Sequence, residues 1–221
     1  MGPSSERTTL KRGANRAEYD SRVIKDILKT GMIAHVGVVA DSGPIVLPMA
    51  YGVGDDDLLL HGSVANAMLR AGTSVDVCVT VTLLDGLVVA RTPLHNSMNY
   101  RSVVVRGTAT KITDPTQKAS ALKIINDHVA PIWDSAREPS PEDFKATLVL
   151  SVPLAESSAK VRTGGPIDDP EDVDGPHWAG VVPLETRWGH PTPASDLRPG
   201  IEIPSSVDQL SDQLAHPATE E

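Results

Sequence analysis

The stretch SVDVCVTVTLLDGLVVART, residues Ser74–Thr92, decides the fold class of this 221-residue chain. Apolar and polar residues alternate from Val75 to Leu83, which is the period of a β-strand with one buried face. Asp85-Gly86 then interrupts the apolar run, and this dipeptide is a strong signal for a two-residue hairpin turn. The sequence therefore predicts two antiparallel strands joined by a tight turn.

Short apolar runs separated by turn residues continue on both sides of this stretch. Together they predict strands at 32–40, 44–51, 58–61, 74–83, 87–92, 101–112 and 147–153. Strands that follow one another through short turns, with few helices between them, favour an antiparallel sheet that curls into a barrel. The expected fold class is mainly β (α+β), an antiparallel barrel with a few external helices.

Three helices are expected outside the sheet. The first has apolar residues at helical spacing over Tyr19–Leu28, a capping-box pattern over Asn15–Glu18, and its end at Gly31. The second, Val64–Arg70, is short and follows a Gly-Ser pair. The third, Pro115–His128, starts with a proline in its first turn.

The composition fits one globular domain with tails. Residues 1–14 are interpreted as a flexible leader, 15–185 as the folded domain and 186–221 as a Pro-, Ser- and Asp-rich tail. The net charge of -9 argues against nucleic acid or an anionic membrane as partner. A single cysteine, Cys78, and the lack of an apolar run of about 20 residues favour a cytoplasmic protein without a membrane partner.

No group of residues matches a known catalytic or metal-binding spacing. The seven histidines contain no pair at helical ligand spacing, so no metal site is expected. No nucleophile or carboxylate stands with the partners that covalent or acid–base catalysis requires, and no catalytic residue is assigned. What remains is a set of four stretches suited to an anionic ligand.

The first of these stretches is Leu58–Arg70, LLLHGSVANAMLR. A strand runs into Gly62 and Ser63, and Ser63 is placed to cap a helix whose first amide groups can bind a phosphate. His61 and the arginine at the end of the stretch are further candidate donors. The alternative is that Ser63 only caps a short surface helix and that His61 packs against its neighbours.

The second stretch is His95–Gly107, HNSMNYRSVVVRG, in which a polar turn enters a β-branched strand. Arg101 and Ser102 begin that strand and point to opposite faces, because neighbours alternate. One of them is placed to reach a ligand while the other faces a neighbouring chain or the solvent. The alternative is a polar strand entry with Tyr100 half-buried.

The third and fourth stretches lie near the end of the domain. In Ser158–Pro166, Lys160 and Arg162 place two cations on one face, which suits an anion or is simply a pair of surface cations. In His177–Leu184, Trp178 is either a core plug or a ring stacked near a cofactor.

These stretches together resemble the pyridoxamine 5'-phosphate oxidase-related family, most closely its flavin-nucleotide-binding, nitroimidazole-resistance-like branch. The matching pieces occur in the family's order and cover about residues 15–185: IVLPMAYGV, LLLHGSVANAMLR, VCVTVTLLDGLVVARTPLHNSMNYRSVVVRG, SAKVRTGGPIDD and WAGVVPL. The resemblance implies a six-stranded split barrel that forms a homodimer and holds FMN at the subunit interface.

The resemblance also implies which residues contact the flavin. They come from four parts of the chain: Leu47, Pro48, Met49 and Ala50; His61, Gly62, Ser63, Asn66 and Met68; Arg101 and Ser102; and Lys160, Arg162 and Trp178. Asn66 and Ala67 stand where the true oxidases have an Arg-Lys pair, and the C-terminal Arg-x-His segment of those oxidases has no counterpart. Oxidation of vitamin B6 is therefore not expected.

The implied function is an FMN-dependent oxidoreductase acting on a small organic molecule. A flavin carries its own redox chemistry, which agrees with the lack of an acid, base or nucleophile arrangement. The alternative is a non-catalytic flavin- or haem-binding protein on the same barrel, with His61 or His95 as iron ligand.

Overall fold

The computed structural model describes residues 2–63 and 74–217. Within them lie ten strands: β1 Ala17–Glu18, β2 Ala34–Ala40, β3 Gly43–Met49, β4 Tyr51–Val53, β5 Asp57–Ser63, β6 Ser74–Val89, β7 Ser97–Lys111, β8 Thr147–Pro153, β9 Ser157–Arg162 and β10 Gly180–Pro183. The same ranges contain four α-helices: α1 Ser21–Thr30, α2 Pro115–Val129, α3 Pro141–Ala146 and α4 Ser205–Asp208. None of the helices in these ranges is long and apolar enough to cross a bilayer.

The strands form one curled sheet in which every pair is antiparallel. The main path runs β3-β2-β6-β7-β8-β5-β4, with β10 beside β6 and β9 between β7 and β1. This confirms the predicted antiparallel barrel class. The described ranges hold more than the six expected strands because the short β1, β4 and β10 and the separate β9 extend the sheet.

A long hairpin of β6 and β7 is the spine of the sheet. β6 continues without a turn from Ser74 to Val89, so the hairpin predicted at Asp85-Gly86 is wrong. The pairing register shifts between Leu84 and Gly86, which marks a bulge. Gly86 is needed for a different reason: a Cβ there would lie 2.7 Å from the carbonyl oxygen of Val182, since β10 packs directly against it.

The main core fills the inside of the curl. The alternation predicted in β6 is confirmed, because Val77, Val79, Val81 and Leu83 are all buried. Helix α1 closes this core with Ile24, Ile27 and Leu28. A smaller cluster lies on the outer side of β5, where Leu59 packs with α2 residues Ala121 and Ile125. β5 is thus buried on both faces, which explains its continuous run of three leucines.

The first helix begins later than predicted. Asp20 caps it and accepts a hydrogen bond from the backbone N of Arg22 at 2.8 Å. The predicted capping-box segment is used elsewhere, because Ala17 and Glu18 form β1 and pair with Lys160 and Ala159 of β9. The predicted end at Gly31 is confirmed.

The remaining helix predictions have separate outcomes. The prediction of Pro115–His128 is confirmed as α2. Helix α3 was not predicted, although Ser140 and Asp143 form a reciprocal capping box at its start. The predicted helix Val64–Arg70 lies outside the described residues.

Candidate functional site

Two of the predicted flavin-contacting segments meet where the sheet closes. β3 and β4 stand at opposite ends of the strand path and are joined through Ala50 alone. Tyr51 pairs with Leu60, so Ala50 lies beside His61. The segment Leu47–Ala50 and the segment His61–Ser63, separated by ten residues in the sequence, are therefore brought to one seam of the barrel. Asn66 and Met68 lie outside the described residues.

A cleft opens at this seam, between the sheet and helix α2. Its volume is about 350 Å³. We call it the histidine cleft, and its walls include Ala50, His61, Leu122, Ile125, Trp133 and Phe144. The chain has few aromatic residues, and two of them line this one cleft. The cleft is mostly apolar, and its walls carry the imidazole of His61.

His61 is the side chain in the cleft that is best suited to bind a ligand. It is half-buried, and burial lowers the pKa of its imidazole. The imidazole makes no hydrogen bond and no ion pair to any residue in the described part of the chain. The ring is therefore neutral at neutral pH, with a nitrogen lone pair available to a ligand.

Ser102 of the third predicted group and Lys160 and Arg162 of the fourth lie together on the neighbouring strands β7 and β9. Ser102 pairs with Lys160, and Tyr100 pairs with Arg162, so these four side chains start from one face of the two strands. Ser102 and Arg101 do not begin the strand as predicted, because β7 starts at Ser97. Arg101 points to the other face, as alternation requires, and is buried.

Most donors of the two arginines are used inside the protein. Arg101 Nη2 donates to Asp85 at 2.8 Å and Nη1 donates to the carbonyl oxygen of Pro217 at 2.9 Å. Arg162 donates to Asn99 Oδ1 and, at 3.0 Å, to the carbonyl oxygen of Gly165. Both side chains therefore hold loops and the tail onto the spine hairpin.

The positive charge on this face is only partly compensated. Burial, and then the neighbouring charge of Arg16, lower the pKa of Arg162. Within the described residues its Nε is buried and has no hydrogen-bond partner. Lys160 Nζ donates to the carbonyl oxygen of Arg12 at 3.1 Å, which leaves further protons on the ammonium group. We call Ser102, Lys160, Arg162 and Arg16 the cationic face.

Trp178 does not plug the core. Its side chain is 65% exposed, and it lies just before β10. A Cβ at Gly180 would stand 2.9 Å from its ring, so the ring packs over that glycine. A large exposed aromatic ring is available to cover a ligand or a second chain.

The prediction of the site missed the segment between α2 and β8, which contains α3. Trp133 lies in the loop before α3 and Phe144 lies within α3, and the two form one wall of the histidine cleft. The backbone N of Trp133 donates to Asp127 Oδ1 at 3.1 Å, which fixes the loop to α2. Two features of the sequence could have indicated this segment: the capping box at Ser140 and the rarity of aromatic residues elsewhere.

The family model described as Pyridoxamine 5'-phosphate oxidase matches residues 20–161. The chain belongs to this family. No curated protein matches it significantly. Among solved structures it is similar to the flavocytochrome Anf3 from Azotobacter vinelandii, with 37% identity and a TM-score of 0.90 over 95% of this chain and 98% of that one.

Two further solved structures are similar to this chain. The FAD and haem binding protein from Mycobacterium smegmatis has 32% identity and a TM-score of 0.86, over 91% of this chain and 100% of that one. A nitroimidazole antibiotic resistance protein from Bacteroides thetaiotaomicron has 28% identity and a TM-score of 0.54, over 66% and 86% of the two chains. The predicted resemblance to the nitroimidazole-resistance-like branch is thus confirmed.

Proposed function

We propose that this chain is a redox protein that binds both a flavin nucleotide and a haem. The observation that carries the proposal is its likeness, over almost the whole length of both chains, to a flavocytochrome at 37% identity. The similarly complete match to an FAD and haem binding protein supports the same pair of cofactors. The flavin and the haem iron would supply the electron-transfer chemistry, while the protein binds and orients them.

The residues of the histidine cleft fit a haem. A haem needs a flat apolar slot and an axial donor, and a neutral imidazole is a common protein ligand of haem iron. His61 is neutral because its pKa is lowered, and the aromatic and aliphatic walls around it would shield a bound iron from water. His95, the alternative ligand, lies on a short 3-10 helix, and its Nε2 is 4.0 Å from the carboxylate of Asp169. The structure therefore favours His61.

The residues of the cationic face fit the phosphate end of a flavin nucleotide. Arg162 Nε is a buried donor without a partner in the described ranges, and Lys160 adds an ammonium group beside it. An anion there would be stabilised by charge-assisted hydrogen bonds. FAD, named for the Mycobacterium smegmatis relative, is our first choice, and FMN is the alternative that the family resemblance implied.

We also propose that the protein works as a homodimer. Val182, Leu87 and Met98 are direct partners across β10, β6 and β7, so they share one face of the sheet. Their side chains are 48%, 49% and 49% exposed, which leaves a row of apolar surface open. A two-fold contact with a second copy would bury this row.

The absorption spectrum of the purified protein tests the two cofactors separately. We expect a flavin band near about 450 nm together with a Soret band, since each cofactor has its own chromophore. Chromatography of the flavin released by heating then identifies it as FAD or FMN. A spectrum with a flavin band alone, after incubation with haem, would reject the haem part of the proposal.

Replacing His61 tests the iron ligand. The His61→Ala protein should lose or shift the Soret band, and free imidazole should restore it, because imidazole replaces the missing ligand. His95→Ala is the matched control and should keep the parent spectrum. A His61→Ala protein with the parent Soret band would contradict the assignment of His61.

The family match favours a second function, an FMN-dependent oxidoreductase acting on a small organic molecule. Turnover of a substrate by protein that contains flavin and no haem would distinguish this function from that of a flavin- and haem-binding protein.

A further inference from the structure

A second groove adjoins the histidine cleft on the side of helix α3. Its volume is about 730 Å³, and it runs between the start of α2 and α3. Pro139 and Phe144 line both the groove and the histidine cleft, so the two cavities adjoin along these residues. The histidine cleft is mostly apolar and carries His61, while the groove has a different character.

The groove is positively charged. Lys118, Arg137 and Lys145 line it together with the carboxylate of Glu138, and Asp143 of the adjoining cleft forms an ion pair with Arg137, in a chain whose net charge is -9. We call it the cationic groove. The cations outnumber these carboxylates, so this stretch of wall attracts an anion locally, in spite of the repulsive overall charge of the protein.

The three cations differ in how far they are already engaged. Lys118 Nζ donates to the carbonyl oxygen of Phe144 at 2.6 Å, which fixes α3 against α2. Arg137 donates to Asp143 Oδ2 at 3.1 Å and to the carbonyl oxygen of Glu138 at 2.8 Å. Lys145 is exposed, and its ammonium group has no hydrogen bond or ion pair to any described residue. Lys145 is therefore the cation most available to a ligand.

We propose that the cationic groove binds the two propionate carboxylates of the haem, with Lys145 as the principal cation. The inference rests on the proposed function and adds an orientation to it. A haem is flat and apolar except for two carboxylates on one edge. The two adjoining cavities match that pattern: an imidazole and aromatic walls in the histidine cleft, and cations in the groove on the other side of Phe144.

The orientation has a chemical consequence that separates it from a purely apolar site. Carboxylate–ammonium pairs are charge-assisted, so they strengthen binding and weaken as salt rises. If the propionates lie in the cationic groove, affinity depends both on their charge and on Lys145. If the haem is held only by iron ligation and apolar contact, neither the charge of the propionates nor Lys145 affects the affinity.

The test is a titration of the Soret band of the full-length protein with iron protoporphyrin IX and with its dimethyl ester, in which both carboxylates are blocked. We expect the parent protein to bind the ester about tenfold more weakly, as for the loss of a hydrogen bond to a charged group. Lys145→Glu should weaken binding of the free acid by a similar factor and should leave binding of the ester almost unchanged. Lys145→Arg should retain most of the affinity.

Arg198→Glu is the matched control, because it makes the same change of charge at an exposed position in the tail. It should bind both porphyrins like the parent. Lys145→Gln provides a milder variant if the glutamate disturbs α3, and circular dichroism checks that the fold is kept. Equal affinity of the parent for acid and ester, or an unchanged affinity in Lys145→Glu, would overturn this inference and leave the proposed haem function standing. A parent protein that develops no Soret band with either porphyrin would overturn the proposed haem function as well.

Discussion

Arg101 and Asp85 form a two-pronged ion pair at the end of the spine hairpin. Nη2 of Arg101 donates to Oδ1 of Asp85 at 2.8 Å, and Nε donates to Oδ2 at 3.1 Å. The arginine side chain is 6% exposed, so its charge depends on this carboxylate for compensation. Asp85 occupies the bulge of β6, and the bulge therefore serves to aim a carboxylate at Arg101.

Replacing Asp85 should destabilise the fold. Asp85→Ala leaves a buried guanidinium without its counter-charge, which costs about 3–5 kcal/mol when both partners are fully buried. Because the Asp85 carboxylate is 28% exposed, we expect the free energy of unfolding to fall by about 2–3 kcal/mol, less than for a fully buried pair. Urea unfolding of the parent and the variant measures the difference. Asp76→Ala, which removes an exposed carboxylate from the same strand, should cost less than about 1 kcal/mol. Similar losses in both variants would contradict the prediction.

Gly86 should tolerate no side chain. In Gly86→Ala the new Cβ would meet the carbonyl oxygen of Val182 at 2.7 Å, so β10 must move away from β6. Forcing an extra carbon into a packed contact costs about 1–3 kcal/mol. Thermal unfolding should show the lower midpoint. Gly165→Ala is the control, because no atom outside its neighbours lies within 4 Å of the new Cβ. The prediction fails if the two alanine variants melt together.

The stability of the protein should fall in mild acid. Burial lowers the pKa of His128, while the hydrogen bond between its ring and the carbonyl oxygen of Gly31 partly opposes the shift. A histidine whose folded pKa is lowered takes up a proton more readily when unfolded. Its stabilising effect is complete above the unfolded pKa of about 6.5 and is lost as the pH falls from there through the folded pKa. His61 contributes in the same direction.

Urea titrations at pH 8 and pH 5 test this sign. The parent should have the higher midpoint at pH 8. In His128→Gln, which cannot titrate, the difference between the two pH values should be smaller, and in the double variant with His61→Gln smaller still. A parent that is more stable at pH 5 would show that other groups determine the acid response.

Charging the exposed apolar row should separate the proposed dimer. In Leu87→Asp a carboxylate stands between Val182 and Met98, and burying it at a two-fold contact without a partner is costly. Sedimentation velocity should then show monomer where the parent sediments as dimer. Leu94→Asp is the control, because Leu94 is 92% exposed and lies outside the row. A parent that sediments as a monomer would reject the dimer itself.

The fold followed from the sequence wherever one local pattern decided the structure. The alternation of apolar and polar residues predicted the buried face of β6, and Pro115 predicted where α2 starts. Local patterns failed where a distant strand imposed the geometry. Asp85-Gly86 has the composition of a turn, yet β10, almost a hundred residues later, pairs straight across it. Ala17 and Glu18 suit a helix cap, yet β9 holds them as a strand.

The candidate site followed only in part. The residues that meet at the barrel seam, Ala50 and His61, were both predicted, because the family resemblance included them. The wall formed by Trp133 and Phe144 was missed, because local sequence patterns do not indicate which cleft a loop and the short helix after it will cover. The hydrogen bond from Arg162 to Asn99 could not be predicted from the sequence, because it depends on the register of two strands about 60 residues apart in the chain.

The order in which the spine hairpin gains its neighbours has a consequence for synthesis. A chain that has left the ribosome only as far as Lys111 can pair β6 with β7 and with β2. The outer edge of β7 must wait for β8 and β9, and the far end of β6 for β10. Until those strands emerge, these edges of the spine hairpin are unpaired in the nascent protein, and unpaired strand edges attract other chains. Efficient production of this protein therefore depends on how quickly its last third follows, or on a chaperone that shields those edges in the interval.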